Sequence, residues 1–258
     1  MRFATLLAGL LFTLTCANAP LADDTKQMVA GAGPSTAVAQ LFFQFLSKKP
    51  EAADYHFYVP ATSAKHAGGI KNSDDYLFGR IGRPFNAEEK KLGKIELFLA
   101  KVPFVFVIGP KVGLNRLTLD QVAAIFLGRI ENWKDLGGPD TAIKVIGRES
   151  SEAFFAALKA AYPQFSNSSF DLILKRDNEV VDYLKTDDGA YSIAFGSKPN
   201  FSFINILDVT DFEIGVNIGL TYDQKNADHK VVKAARRFAE STEWRGGLSM
   251  LGLLPADL

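Results

Sequence analysis

Arg148, Ser150 and Ser151 follow directly on the apolar pair Val145-Ile146 and Gly147. A short strand that ends in glycine and then opens a helix with an arginine and two hydroxyls is suited to holding an oxyanion. A helix N-terminus carries unpaired backbone N–H groups and a partial positive charge, so an anion placed there gains hydrogen bonds without a full counter-charge. The guanidinium adds a two-pronged donor, and the hydroxyls add neutral ones. The same residues have a plainer reading, in which Ser150 caps the helix and Arg148 is solvated. A second helix start of this kind lies at Gly31-Ala32-Gly33-Pro34-Ser35-Thr36, where Pro34 suits a first helical turn and VAQLFFQFL continues it.

Other chemistries find less support. The histidines are His56, His66 and His229. Ser63 and His66 could meet on a helix with Asp74 or Asp75 behind them, but no nucleophile elbow accompanies them, and neither HExxH nor another paired metal-ligand spacing occurs. The expectation is a non-enzymatic protein with no cofactor and no metal. Lys plus Arg equals Asp plus Glu at 29 each, so no global field draws in nucleic acid or an anionic membrane, and a charged ligand must be recognised locally.

The chain of 258 residues is long enough for one large domain or two small ones. Its start, MRFATLLAGLLFTLTCANAPLA, has one basic residue, an apolar run and small residues, the form of a secretory signal peptide over residues 1–22. The apolar run is shorter than the ~20 residues a spanning helix needs, so no stable membrane insertion is expected. Cys16, the sole cysteine, falls within it; a lipidated start at Cys16 is the lesser reading, since Thr13-Leu14-Thr15 is a poor lipobox. The body then has no disulfide, thiolate or cysteine metal site.

Beyond the leader, helical and strand patterns alternate, which argues an α/β fold. Strands are expected at 55–59, 75–79, 95–108, 142–146, 170–174 and 191–195. Helices are expected from Pro34, over 66–70, 86–92, from Thr118, over 150–161, 179–185, 228–240 and 242–251. Thr118 with Gln121 forms a capping-box pattern, Leu119, Val122, Ala123 and Phe126 share one face, and Gly128 supplies a left-handed stop. The 21 phenylalanines sit in core patterns, Trp133 is expected to pack against the adjoining helix, and His66 to lie on a helix surface.

With these elements placed, the sequence resembles the phosphate-binding branch of the periplasmic solute-binding proteins that feed ABC importers. GAGPST is similar to that family's opening turn, LTLDQVAAIFLGRIENWKDLGG to its central signature, and VIGRESSEAFF to its anion loop; TDDGAYSIAFGS and GLSMLGLLP match later segments in order. The resemblance implies a two-lobed periplasmic-binding-protein architecture of type II, with the ligand in a cleft between lobes at residues 23–107 plus 215–258 and 108–214. It implies a monomer in the periplasm that binds a small oxyanion, phosphate first, and meets an ABC permease or a periplasmic sensor domain. Carried over by position, the ligand residues are Ser35 and Thr36, Ser63, and Arg148, Ser150 and Ser151. Two departures bear on the ligand: Gly82 stands where the family has an acid, with Arg80 and Arg83 around it as possible added charge, and Glu152 stands in the anion loop. A sensor or accessory protein with another ligand, or a hydrolase on the same fold, are the alternatives.

Overall fold

In a computed structural model, residues 25–61, 64–201 and 203–257 are described. The proposed leader with Cys16, and Ser63, lie outside them. Strand β1 (Lys26–Met28) pairs in parallel with β2 (His56–Tyr58), and between them α1 (Thr36–Leu46) follows a 3-10 turn at Gly33–Ser35 with Pro34 in its first turn. α1 buries Val38, Ala39, Phe42, Phe43 and Leu46, the spacing of one helical face. After α2 (Lys65–Asp75) and β3 (Gly79–Ile81) comes the longest strand, β4 (Lys94–Ile108).

β4 organises the molecule. From Lys94 to Pro103 it pairs antiparallel with β10 (Gly215–Asp223), whose other edge holds β3. From Phe104 to Ile108 it pairs instead with β8 (Ser192–Ser197), and at its end also with β9 (Asn205–Thr210). β8 leads on to β6 (Lys144–Gly147) and β7 (Leu172–Ile173), both parallel additions, and β9 pairs with β5 (Arg116–Thr118). One strand thus serves two sheet halves, and its partners change between Pro103 and Phe104. The return crossing passes Asp211, at φ 59°, into β10.

Each half has its own helices and aromatic packing. On the first, α6 (Lys230–Ala239) and α7 (Thr242–Ser249) bring Phe238 and Trp244 onto Phe42, with ring centroids 5.2 and 5.0 Å away. The Trp244 indole N–H is satisfied by the Leu99 carbonyl at 2.7 Å. On the second, Phe104, Phe106, Phe126, Phe165 and Phe195 interlock at centroid distances between 5.0 and 6.1 Å. α3 (Leu119–Phe126) has the reciprocal Thr118–Gln121 capping box, and Gly128 takes φ 66° after it, a conformation an L side chain resists. Trp133 is fully buried and donates to the Tyr191 carbonyl at 2.7 Å. α4 (Ala153–Ala161) and α5 (Asp177–Leu184) complete this half.

Two expected elements differ. The strand expected at 75–79 begins only at Gly79, as β3: α2 runs on to Asp75, and Asn72 within it donates to the carbonyls of Met28 and Phe78 at 2.8 and 2.7 Å, tying the helix to the neighbouring backbone. Residues 86–92 form only a 3-10 turn at Glu89–Lys91. Asn86 Oδ1 accepts from the N–H groups of Glu88 and Glu89, and Glu89 Oε2 accepts in return from the Asn86 N–H at 2.9 Å while also pairing with Arg83.

Candidate functional site

The first wall of the site is the turn into α1. Ser35 is fully buried and its hydroxyl donates back to the Ala32 carbonyl at 2.9 Å, so it shapes the turn. Thr36 opens α1 and is half-exposed. Its Oγ1 accepts a hydrogen bond from Arg80. Arg80 reaches this position from β3 with no exposed surface, and donates also to the carbonyls of Val29 and Ala32 at 2.9 Å and of Pro60 at 3.1 Å. Among the described residues no carboxylate forms an ion pair with it.

The facing wall comes from the second half. β6 delivers Arg148, which is 7% exposed. Its Nη1 forms an ion pair with Asp177 Oδ1, its Nη2 donates to the Lys175 carbonyl at 2.8 Å, and its Nε, buried, has no partner among the described residues. Asp177 is the first residue of α5, where a carboxylate suits the helix dipole, and it also accepts from Ser197 and Asn200 at 3.0 and 2.7 Å.

The helix after Arg148 begins later than its sequence suggests. α4 starts at Ala153, and its N-cap is Glu152, whose carboxylate accepts from the Phe155 N–H at 2.9 Å. The acid that looked foreign in an anion loop is therefore its own cap. Burial pushes the Glu152 carboxyl above its ordinary range, opposed by its backbone hydrogen bonds. Ser150 and Ser151 are exposed in the turn before it, and the Ser150 carbonyl accepts from Lys159 at 3.0 Å.

Between the walls lies a cleft of about 850 Å³, with Thr36 and Gly33 on one side, Arg148, Glu152, Arg176 and Asp177 on the other, and Val102 of β4 behind. Arg83 and Ser151 line a different cavity of about 490 Å³, with Ala153, Ala156, Ala157 and Ala160 of α4 and Gly215–Asn217. The first turn of α4 stands between the two. Of the residues singled out from sequence, the cleft thus gathers Thr36 and Arg148. Ser35, buried, and Ser150, exposed, line neither cavity, and Arg83 and Ser151 face the second.

Arg83 does not offer free charge. It forms a two-pronged pair with Glu89 at 2.7 and 2.9 Å, and this hydrogen bonding holds the Glu89 carboxyl down at about 2. His66 is half-buried rather than superficial: its Nε2 lies 3.4 Å from Glu89, and its Nδ1 accepts from the Gly82 N–H at 3.3 Å. Burial, with Arg83 nearby, lowers its pKa. At Gly82 a Cβ would stand 2.9 Å from Ala32 Cβ, so any side chain there requires the turn at Ala32 to shift. Asp177, Glu89 and the inward course of Arg80 are the parts that sequence reasoning missed. The only trace of the first was an acid at a helix start; for the other two the sequence carried no local signal.

A family model described as a PBP superfamily domain matches residues 22–200. The phosphate-binding protein PstS of Borreliella burgdorferi is 25% identical over 205 residues, covering 76% of this chain and 72% of that protein. A substrate-binding protein of the phosphate ABC transporter class from Clostridium perfringens, solved with bound phosphate, superposes with a TM-score of 0.65 at 19% identity, over 90% of this chain and all of that one. An ABC-type phosphate transport receptor from Vibrio cholerae gives 0.60 at 14% identity, over 89% and 99% of the two chains. At these identities the structural likenesses speak for the fold.

Proposed function

The chain belongs to the PBP superfamily, and from that premise we propose that it is an exported, non-enzymatic binding protein that captures a small oxyanion, phosphate first, for ABC-type import. The observation that carries this reading is Arg148: a guanidinium nine-tenths buried in an inter-lobe cleft with its Nε–H unpaired. A buried donor without a partner costs free energy that an oxyanion seated against it would recover. The phosphate-binding names of the Borreliella, Clostridium and Vibrio relatives support phosphate as the first ligand to try. β4 with its change of partners at Pro103, and the return through Asp211, supply the two crossings about which the lobes would close. In this reading the protein acts as a monomer outside the inner membrane and presents its closed form to a permease.

Calorimetric titration of the protein lacking residues 1–22 with phosphate, sulfate and a panel of carboxylates is the test. Saturable binding that Arg148→Ala abolishes and His66→Ala preserves is expected. Binding of none of these anions overturns the reading.

A further inference from the structure

Charge is distributed unevenly over the site. Arg148 has Asp177 as its counter-ion and Arg83 has Glu89, but among the described residues Arg80, with no exposed surface, has only neutral acceptors: three carbonyls and the Thr36 hydroxyl oxygen. A buried cation satisfied by dipoles alone keeps its field, because no anion cancels it and little water screens it. The Nη1–Oγ1 bond also has a directional consequence. With the oxygen accepting from Arg80, and no acceptor for its proton among the described residues, the Thr36 O–H is left to donate into the cleft that Thr36 lines.

Resting on the oxyanion reading above, we infer that Arg80 is a positioning and specificity residue: it fixes Thr36 as a donor and places an unpaired positive charge beneath the cleft, so that the ligand is a fully deprotonated, doubly charged oxyanion. A protonated oxyanion needs an acceptor for its proton. Gly82 supplies none, and a Cβ there would stand 2.9 Å from Ala32 Cβ. The charged groups facing Thr36 across the cleft are Arg148, Lys175 and Arg176 against Glu152 and Asp177; Asp177 is engaged by Arg148, Ser197 and Asn200, and Glu152, which commits one oxygen to the Phe155 N–H, is the one carboxylate there that a ligand proton could meet. Beyond Gly82, His66, Arg83 and Glu89 answer one another, and on α2 Asp74 pairs with Lys94.

The test is the ratio of phosphate to sulfate affinity, measured by calorimetry in acid and in mildly alkaline buffer. Sulfate is a dianion throughout, so the ratio cancels the titration of the protein's own groups. Sulfate is expected to bind, and the ratio to rise several-fold as phosphate loses its second proton. Thr36→Val should weaken both anions at least tenfold and Thr36→Ser should restore them; Arg80→Lys should weaken both while keeping the rise. Phosphate binding with sulfate rejected, a ratio that falls with pH, or a Thr36→Val protein that binds normally overturns the inference and leaves the oxyanion reading standing. Failure to bind either anion, or any carboxylate, overturns both.

Discussion

Asp177 and Arg148 pair across the inner wall of the cleft, the acid at the head of α5 and the cation at the end of β6, joined with Ser197 and Asn200 into one hydrogen-bonded group. The pair holds Arg148 in place while offsetting its charge. Asp177→Asn would keep the shape and remove the counter-ion, leaving a buried guanidinium whose desolvation is no longer compensated. The expected cost is about 3 kcal/mol in the free protein. A bound anion would replace the missing charge, so the rise in Tm on adding phosphate should exceed that of the unsubstituted protein. Thermal unfolding with and without phosphate checks both effects; equal rises would show that the ligand does not reach Arg148.

Glu152 is the negative group of the cleft least neutralised by a cation. Its carboxylate serves the α4 N-terminus through the Phe155 N–H, a bond that a glutamine oxygen can also accept. Glu152→Gln should therefore leave stability within about 1 kcal/mol while raising anion affinity several-fold, more at low salt. Because burial lifts the Glu152 carboxyl above its usual range, sulfate affinity in the unsubstituted protein should increase as pH falls through that raised value, and the glutamine variant should lose this dependence. Titrations of both proteins at several pH values decide it.

Much of the architecture was legible because it rests on periodicity and caps. The Thr118–Gln121 box, the Gly128 stop and the alternation of strand and helix all mark local chemistry that the fold keeps. What was not legible depends on long-range pairing. Arg80 and Arg83, three residues apart, look alike in sequence, yet β3 turns one into the protein and leaves the other at the surface of a cavity, where Glu89 reaches it. The Ser150–Glu152 segment misleads for the opposite reason. Any of its three residues can cap a helix, and tertiary packing of Phe154 and Phe155, both buried, selects Glu152.

Gly82 offers a direct test of the missing acid. Gly82→Asp would bring a Cβ to 2.9 Å from Ala32 Cβ, and neither backbone can yield without disturbing the turn that leads into α1. Destabilisation of about 1–3 kcal/mol is expected, with weaker binding of every anion through the displaced Thr36. A variant with unchanged Tm and a new preference for phosphate over sulfate would show that the turn adapts to an acid. Chemical denaturation and the two titrations distinguish the cases.

The Arg83–Glu89–His66 group predicts how the protein responds to acid. The Glu89 carboxyl titrates at about 2 in the folded protein against 4.5 in its reference state, chiefly through the Arg83 hydrogen bonds. A depressed folded value means that this stability is complete above the unfolded value and is lost as pH falls from about 4.5 towards 2, by at most about 3 kcal/mol. His66 acts in the same direction at higher pH. Its lowered folded value makes the unfolded chain bind protons first below 6.5, so stability begins to fall there. Glu89→Gln should flatten the acid limb below pH 4.5, and His66→Gln, which keeps an acceptor for the Gly82 N–H, should flatten only the step nearer 6.5. Urea midpoints measured from acid to neutral pH would separate the two steps; a single limb unchanged by either substitution would place the acid sensitivity elsewhere in the chain.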